Sequence, residues 1–200
     1  MTFDAFLSLA AFAFVTSITP GPNNLMLMAS GANFGLRRTV PHMLGVALGF
    51  VAMVIIVGVG LAQLFSTVPA LYAVLKVLSI GYLLYLAWRI ATADGMGSAD
   101  RTGRPMTFIE AALFQWVNPK AWTMALASIA LYAPSQSLAA IVLVAVIFGA
   151  INLPSVSSWT VLGQQMKRFL TTGRRLRIFN WTMAVLLVLS LIPSLQSPPV

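Results

Sequence analysis

The chain contains no cysteine, one histidine and only four acidic residues among 200. The first absence excludes disulfides, thiol redox chemistry and thiolate metal sites. The second excludes an imidazole metal cluster, because His42 stands alone. Charge of any sign is scarce: 8% of residues carry it, against about 25% in an average soluble domain. So few charges cannot cover the surface of a water-soluble globule of this size. No polar stretch is long enough for a second domain, so one unit over residues 1–200 is expected.

What is present instead is apolar. Hydrophobic residues make up 59% of the chain, and the mean hydropathy is +0.90. Runs long enough to cross about 30 Å of hydrocarbon, at about 1.5 Å per residue, follow one another. They cover Phe3 to about Ala32, Pro41–Leu64, Pro69–Trp88, Phe108–Tyr132, Leu138–Leu162 and Ile178–Leu195. Barrel-type alternation of polarity is missing. The predicted class is therefore an all-α polytopic membrane protein with six transmembrane helices. The first run does not read as a signal peptide. Met1 to Asp4 holds no basic residue, and the run ends in Thr19-Pro-Gly-Pro22 and not in a small-residue cleavage site.

A net charge of +8 would suggest nucleic acid in a soluble protein, but its placement argues for orientation in a membrane. Arg37 and Arg38 lie between spans one and two. Arg89, Arg101 and Arg104 follow span three, and Lys167, Arg168, Arg174, Arg175 and Arg177 lie between spans five and six. The opposite loops, Phe65–Val68 and Ala133–Ser137, carry no basic residue, and neither do the termini. The positive-inside rule then makes the basic loops cytoplasmic and both termini periplasmic, in the inner membrane of a bacterium.

A weak internal repeat accompanies this pattern. Met1-Thr-Phe3 opens the first half and Met106-Thr-Phe108 the second. The expected halves are about 1–92 and about 107–200, joined by a cytoplasmic linker of about 93–106. Three spans per half force the second copy to be inverted. Each half also breaks its own first span at proline: Pro20 and Pro22 in span one, Pro119 in span four. Interrupted helices in matching positions point to a transporter's binding site.

The stretch Thr19-Pro-Gly-Pro-Asn-Asn24 removes two amide donors and relaxes the backbone at Gly21. Broken backbone at membrane depth is tolerated only where it is buried or lines a cavity. Two readings stand: a proline kink whose Asn23 and Asn24 bond the freed backbone, or a site. Asn118-Pro119-Lys120 is the second signal, with a lysine about 18 Å along its span from Phe108. A lysine at that depth serves function or acts as hydrogen-bonding glue. Taken together, spans one and four run in opposite directions. The half-helices after their breaks therefore aim positive dipole ends at each other near the midplane, with Lys120 beside them. That arrangement suits a carboxylate, and the asparagine carbonyls suit an ammonium group.

Other polar residues stand in the spans. Lys76, about 10 Å into span three, reads as a gate, a counter-charge or a snorkelling residue. Asn152, Pro154, Ser155 and Ser158 in span five and Asn180 in span six either extend a polar pathway or serve packing. Gly45 and Gly49 form a G-x-x-x-G pair for close helix contact. Asp4 and Glu110 are expected at the interfaces.

The Thr19–Asn24 hexapeptide resembles the first-span motif of the LysE/RhtB amino-acid exporters. So do Gly45-x-x-x-Gly49-Phe50, Lys76 with Gly81-Tyr82-Leu83, and Asn118-Pro-Lys-Ala121, in the same order and over nearly the whole chain. Leu86-Ala-Trp-Arg-Ile-Ala-Thr92 resembles the cysteine/O-acetylserine and threonine/homoserine branches. Two departures are Ala87, where many members have glycine, and the missing glycine near Met183, which bears on how closely span six packs. The resemblance implies ion-coupled efflux of amino acids, with proton antiport expected and no enzyme activity. No carboxylate lies deep in a span; Lys120 is the candidate proton carrier.

Pro20, Gly21, Pro22, Asn23, Asn24, Asn118, Pro119 and Lys120 are the expected substrate site, with Lys76, Asn152 and Asn180 as gate or pathway. No cofactor or metal is expected. The expected partners are a small-molecule amino acid and membrane lipid, with a second copy of the chain left open and nucleic acid excluded. Three alternatives remain at this stage: export of another small anion, a membrane-embedded lipid-modifying enzyme, or a structural subunit.

Overall fold

A computed structural model describes residues 1–61, 70–93, 104–135, 137–170 and 172–192, the side chains of 61, 70–73, 75 and 76 excepted. The Phe65–Val68 loop, most of the expected linker with Arg101, and the end of span six beyond 192 lie outside the described residues.

Helix α1, Phe3–Ile18, starts where the Thr2 hydroxyl accepts the Ala5 amide. It stops because Thr19 precedes a proline and is pushed to extended backbone (φ −64°, ψ 144°). After Pro20 and Gly21 the chain re-enters a helix at Pro22, a residue suited to the first helical position. This second helix, α2, is Pro22–Phe34, bent 56° from α1. Gly35 turns a sharp corner at φ 83°, a conformation that favours glycine, straight into α3, Leu36–Ile56. A π-helical turn, Val57–Leu61, continues it. Helix α4 is Ala70–Ala91.

Helix α5, Phe108–Phe114, opens with a capping box in which Thr107 and Glu110 satisfy each other's amides. A 3-10 turn, Gln115–Val117, and extended Asn118 follow before α6, Pro119–Tyr132, begins at its proline. Helix α7 runs unbroken from Leu138 to Met166 through Pro154, and α8 spans Gly173–Leu189. Every regular element among the described residues is helical.

These bounds correct the hydropathy reading in places. Pro41 lies inside α3 and does not begin it. The last helix starts at Gly173, capped by the Thr172 hydroxyl, and not at Ile178. Hydropathy marks the part of a helix that lipid accepts; the cap and its basic first turns lie outside that part and remain helical.

By length and composition, Leu36–Gly60 and Leu138–Met166 can each cross a membrane, and the bent pair α1–α2 makes a third candidate. Large apolar side chains point outward along the helices, among them Val77, Leu131, Val146 and Val185. An apolar exterior on this scale belongs in lipid. Inside, α2 and α7 touch backbone to backbone. A methyl on Gly31 would overlap the Thr160 carbonyl, and one on Gly163 would overlap the Met28 carbonyl. Gly45 and Gly49 seat α3 in the same way against Phe108, Ala111 and Ala112 of α5, the close approach expected of that pair. Met183, where a glycine was missed, is buried among apolar neighbours.

The bundle has two distinct ends. At one, Tyr132 bonds Ser8, and Gly58 sits against Ile129 and Ile141. At the other, the Leu36 amide donates to Gln164, and Asn180 bonds both Asn33 and the Ala93 carbonyl. The second end gathers the helix termini that carry Arg37, Arg38, Arg89, Lys167, Arg168, Arg174, Arg175 and Arg177. Arg104 joins them, tied through both its terminal nitrogens to Glu110. That bond, and then the carboxylate's charge, hold the guanidinium above its ordinary range.

Candidate functional site

The chain crosses the middle of the bundle in broken form twice. The α1–α2 pair runs toward the basic end and the α5–α6 pair runs away from it, so the two breaks meet. Asn23 Nδ2 donates to Gln115 Oε1 at 2.8 Å, joining them directly. Lys120 makes the second link. Its ammonium donates to the Thr19 carbonyl at 2.7 Å, the Thr19 hydroxyl at 2.9 Å and the Pro20 carbonyl at 3.4 Å. Gly21 is flush with the lysine stem: a methyl there would lie 2.8 Å from Lys120 Cδ.

The polar groups of the first break divide sharply. A helix end leaves carbonyls without partners, and here each one is taken. Asn24 Nδ2 donates to the Ser17 carbonyl (2.7 Å) and the Thr19 carbonyl (2.8 Å), and Trp159 Nε1 to the Ile18 carbonyl (3.1 Å). The amides that open α2 are left bare. No side chain caps this helix, and neither the Asn23 nor the Asn24 amide has an acceptor among the described residues. A helix start with free amides attracts an anion.

The second break satisfies itself. The Asn118 side chain accepts the Lys120 amide at 3.1 Å, and its main-chain carbonyl accepts those of Ala121 and Trp122. The expected pair of dipole ends is thus present in direction but unequal: α2 offers open amides, whereas α6 offers Lys120.

A small cavity of about 20 Å³ lies between the breaks, lined by Gly21, Asn23, Asn24, Gln115, Asn118, Lys120 and Asn152 among others. That is room for about one water and too little for an amino acid. Asn152 projects from the middle of α7, donates to Ser17 Oγ at 3.0 Å, and keeps its buried Oδ1 without a partner among the described residues. A buried acceptor left bare costs roughly 1–3 kcal/mol. It faces the same cavity as the bare amides.

Of the expected residues, Gly21, Asn23, Asn24, Asn118, Lys120 and Asn152 therefore converge, with Pro20 and Pro22 framing the first break and Pro119 the second. Asn180 does not join them: it ties α8 to Asn33 and Ala93 at the basic end. Ser155 and Ser158 bond carbonyls of their own helix. The side chain of Lys76 lies outside the described residues. Gln115, Ser17 and Trp159 were missed by sequence reasoning, although a glutamine five residues before Lys120 in an apolar run was a visible signal.

A family described as LysE type translocator matches residues 14–190. Among curated proteins, the chain is 29% identical over 181 residues to a cysteine/O-acetylserine efflux protein of Escherichia coli O1:K1 / APEC, covering 88% of this chain and 90% of that one. Proteins of the same description from Salmonella typhimurium (28%) and Klebsiella pneumoniae (29%) match over 183 residues, with the same coverage of each chain. No solved structure matches.

Proposed function

The chain belongs to the LysE type translocator family, and from that premise we propose that it exports small amino acids or their close derivatives. Cysteine and O-acetylserine, named for its relatives, are the first to test. As a translocator it moves its cargo unaltered, so no catalytic residue is assigned.

In this reading the bent pair α1–α2, α3, α4, the broken pair α5–α6, α7 and α8 form six spans in lipid. They fall into two inverted sets of three. The basic end faces the cytoplasm of a bacterial inner membrane and both termini face the periplasm, as loop charge favours. Alternating access then rocks the two sets about the breaks, driven by proton antiport.

The observation that carries the proposal is the Lys120 strap over the first break. In this arrangement the lysine binds the carbonyls of Thr19 and Pro20, which are groups of the kind a substrate ammonium seeks. An incoming zwitterion exchanges partners with it. The carboxylate takes Lys120 and the bare amides of Asn23 and Asn24. The substrate ammonium takes the released carbonyls and Asn152 Oδ1. The lysine exchanges its carbonyls for the carboxylate, the substrate ammonium takes those carbonyls, and the bare amides and Asn152 Oδ1 gain partners, so the strap opens without leaving a buried charge unpaired. Binding energy specific to the opened arrangement shifts the bundle between its two states. Asn118 holds α6 in register so that Lys120 arrives in place.

Reconstituted liposomes loaded with labelled O-acetylserine test this directly. The unaltered chain should exchange label with external amino acid, and an imposed proton gradient should accelerate the flux. Lys120→Ala and Asn118→Ala should abolish exchange while the protein remains inserted. Exchange that survives both substitutions would remove the site, and a panel of amino acids with no exchange at all would remove the function.

A further inference from the structure

A second cavity, of about 240 Å³, opens at the basic end. For comparison, an engineered cavity of about 150 Å³ holds benzene. Its wall is polar on one side, formed by Ser30, Asn33 and His42, and its rim carries Trp88, Arg89 and Thr92.

Among the described residues, one of these groups lacks a hydrogen-bond partner and another lacks a counter-charge. His42 is 2% exposed, and neither ring nitrogen is hydrogen-bonded among the described residues. An imidazole carries a donor and an acceptor in its neutral form, and burying both unpaired is costly unless another molecule completes them. The surrounding polar groups are already committed: Ser30 to Thr39, Asn33 to Asn180 and Ala29, Arg104 to Glu110. Arg89 is half-buried and leans over the Tyr85 ring at 5.9 Å, with no carboxylate beside it among the described residues. Among the described residues nothing occupies the planar fork of this guanidinium, a shape that suits a carboxylate. Helix α2 connects the two cavities: Asn23 and Asn24 line the smaller one, and Met26, Ala29, Ser30 and Asn33 line this one.

We infer that this cavity is a second binding site, a cytoplasmic vestibule that takes a small carboxylate-bearing molecule before it reaches the breaks. Arg89 pairs with the carboxylate at the rim, and His42 supplies a hydrogen bond from the wall. The identity of the ligand as an amino acid of the exported class rests on the function proposed above. The cavity's capacity to bind a small carboxylate does not.

The test separates the two sites by disabling the inner one. Lys120→Ala protein in lipid nanodiscs is titrated with labelled O-acetylserine by scintillation proximity. It should still bind one molecule per chain. Adding Arg89→Gln should weaken that binding at least tenfold. Thr92→Trp, placed at the exposed rim, should weaken it similarly by plugging the mouth, and it guards against a folding defect at Arg89. His42→Phe, close in shape but apolar, should weaken binding severalfold where a mere wall residue would leave it unchanged. No binding to the Lys120→Ala protein overturns the vestibule, as does binding that neither Arg89→Gln nor Thr92→Trp reduces. Liposome exchange by the unaltered chain is scored separately. Exchange without a Lys120-independent site sinks only the vestibule, and Arg89-dependent binding without exchange upholds the vestibule and sinks the transport reading.

Discussion

The two breaks look alike as sequence, each a proline beside asparagine, yet they are finished in opposite ways. At the first, the carbonyls of α1 are all occupied and the amides of α2 are bare. At the second, Asn118 caps its own helix and the lysine after Pro119 reaches across to the other half. In the function proposed above, one break presents a receptor and the other a removable plug. Their mounting differs as well. Almost every residue of α2 from Pro22 to Ala32 is buried, and its backbone lies against α7 at Gly31 and Gly163. Helix α6 buries only Ala121, Met124, Ala125 and Ser128. Under the proposed alternating access, a well-buried receptor facing a less buried arm makes α6 the part expected to move.

The comparison is broken most severely by loosening the fixed side. Gly163→Ala drives a methyl into the Met28 carbonyl, where backbone cannot yield as a side chain would. Overpacking of this kind costs about 3 kcal/mol, so the variant should lose folded yield and unfold at markedly lower temperature, by fluorescence-detected size exclusion after heating. An unchanged melting profile would mean that α2 is not clamped. Lys120→Met comes next and acts on the other side. It removes the plug's charge while keeping its bulk, and should cut exchange about 100-fold, equivalent to roughly 2.7 kcal/mol, with thermal stability nearly retained.

A smaller effect is expected where plug and receptor touch. Gly21 has extended backbone (φ −178°) that any residue can adopt, so Gly21→Ala adds no backbone strain. The methyl meets the middle of a flexible lysine stem, which can shift by a few tenths of an ångström. Exchange should fall about tenfold, roughly 1.4 kcal/mol, and Lys120→Met should mask the effect, since both act on one contact. Additive losses in the double variant would show that Gly21 serves something other than the lysine.

The periodicity of apolar runs made the helical class legible, and proline chemistry made both breaks legible to within a residue or two. Thr19 and Asn118 are extended because each precedes a proline, a rule that needs no tertiary information. The convergence of Asn23, Asn24 and Lys120 followed from the opposite directions of two spans. What could not be read was which partner each polar group would choose. Asn180 looked as suitable for a pathway as Asn152 did, but the stacking of α8 on α2 delivered it to Asn33. Gln115 escaped notice because its importance depends on Asn23, 92 positions away. The T-x-x-E capping box at Thr107 was plainly written, yet Glu110 was taken only as an interfacial residue.

The self-capping of the second break gives the finest test. Asn118 has two roles that substitution can separate: its side chain caps the Lys120 amide, and its position before Pro119 keeps the backbone extended. Asn118→Ser retains a capping oxygen, and Asn118→Ala does not. Removing such a cap costs about 1 kcal/mol of stability, and exchanging one capping residue for another costs little. If Asn118 acts only by holding α6 in register, the serine variant should exchange within about twofold of the unaltered chain, while the alanine variant loses both exchange and about that much stability. Should serine restore stability but not exchange, the amide group itself must meet the substrate. The second break would then be a half of the receptor and not merely the mount for its plug.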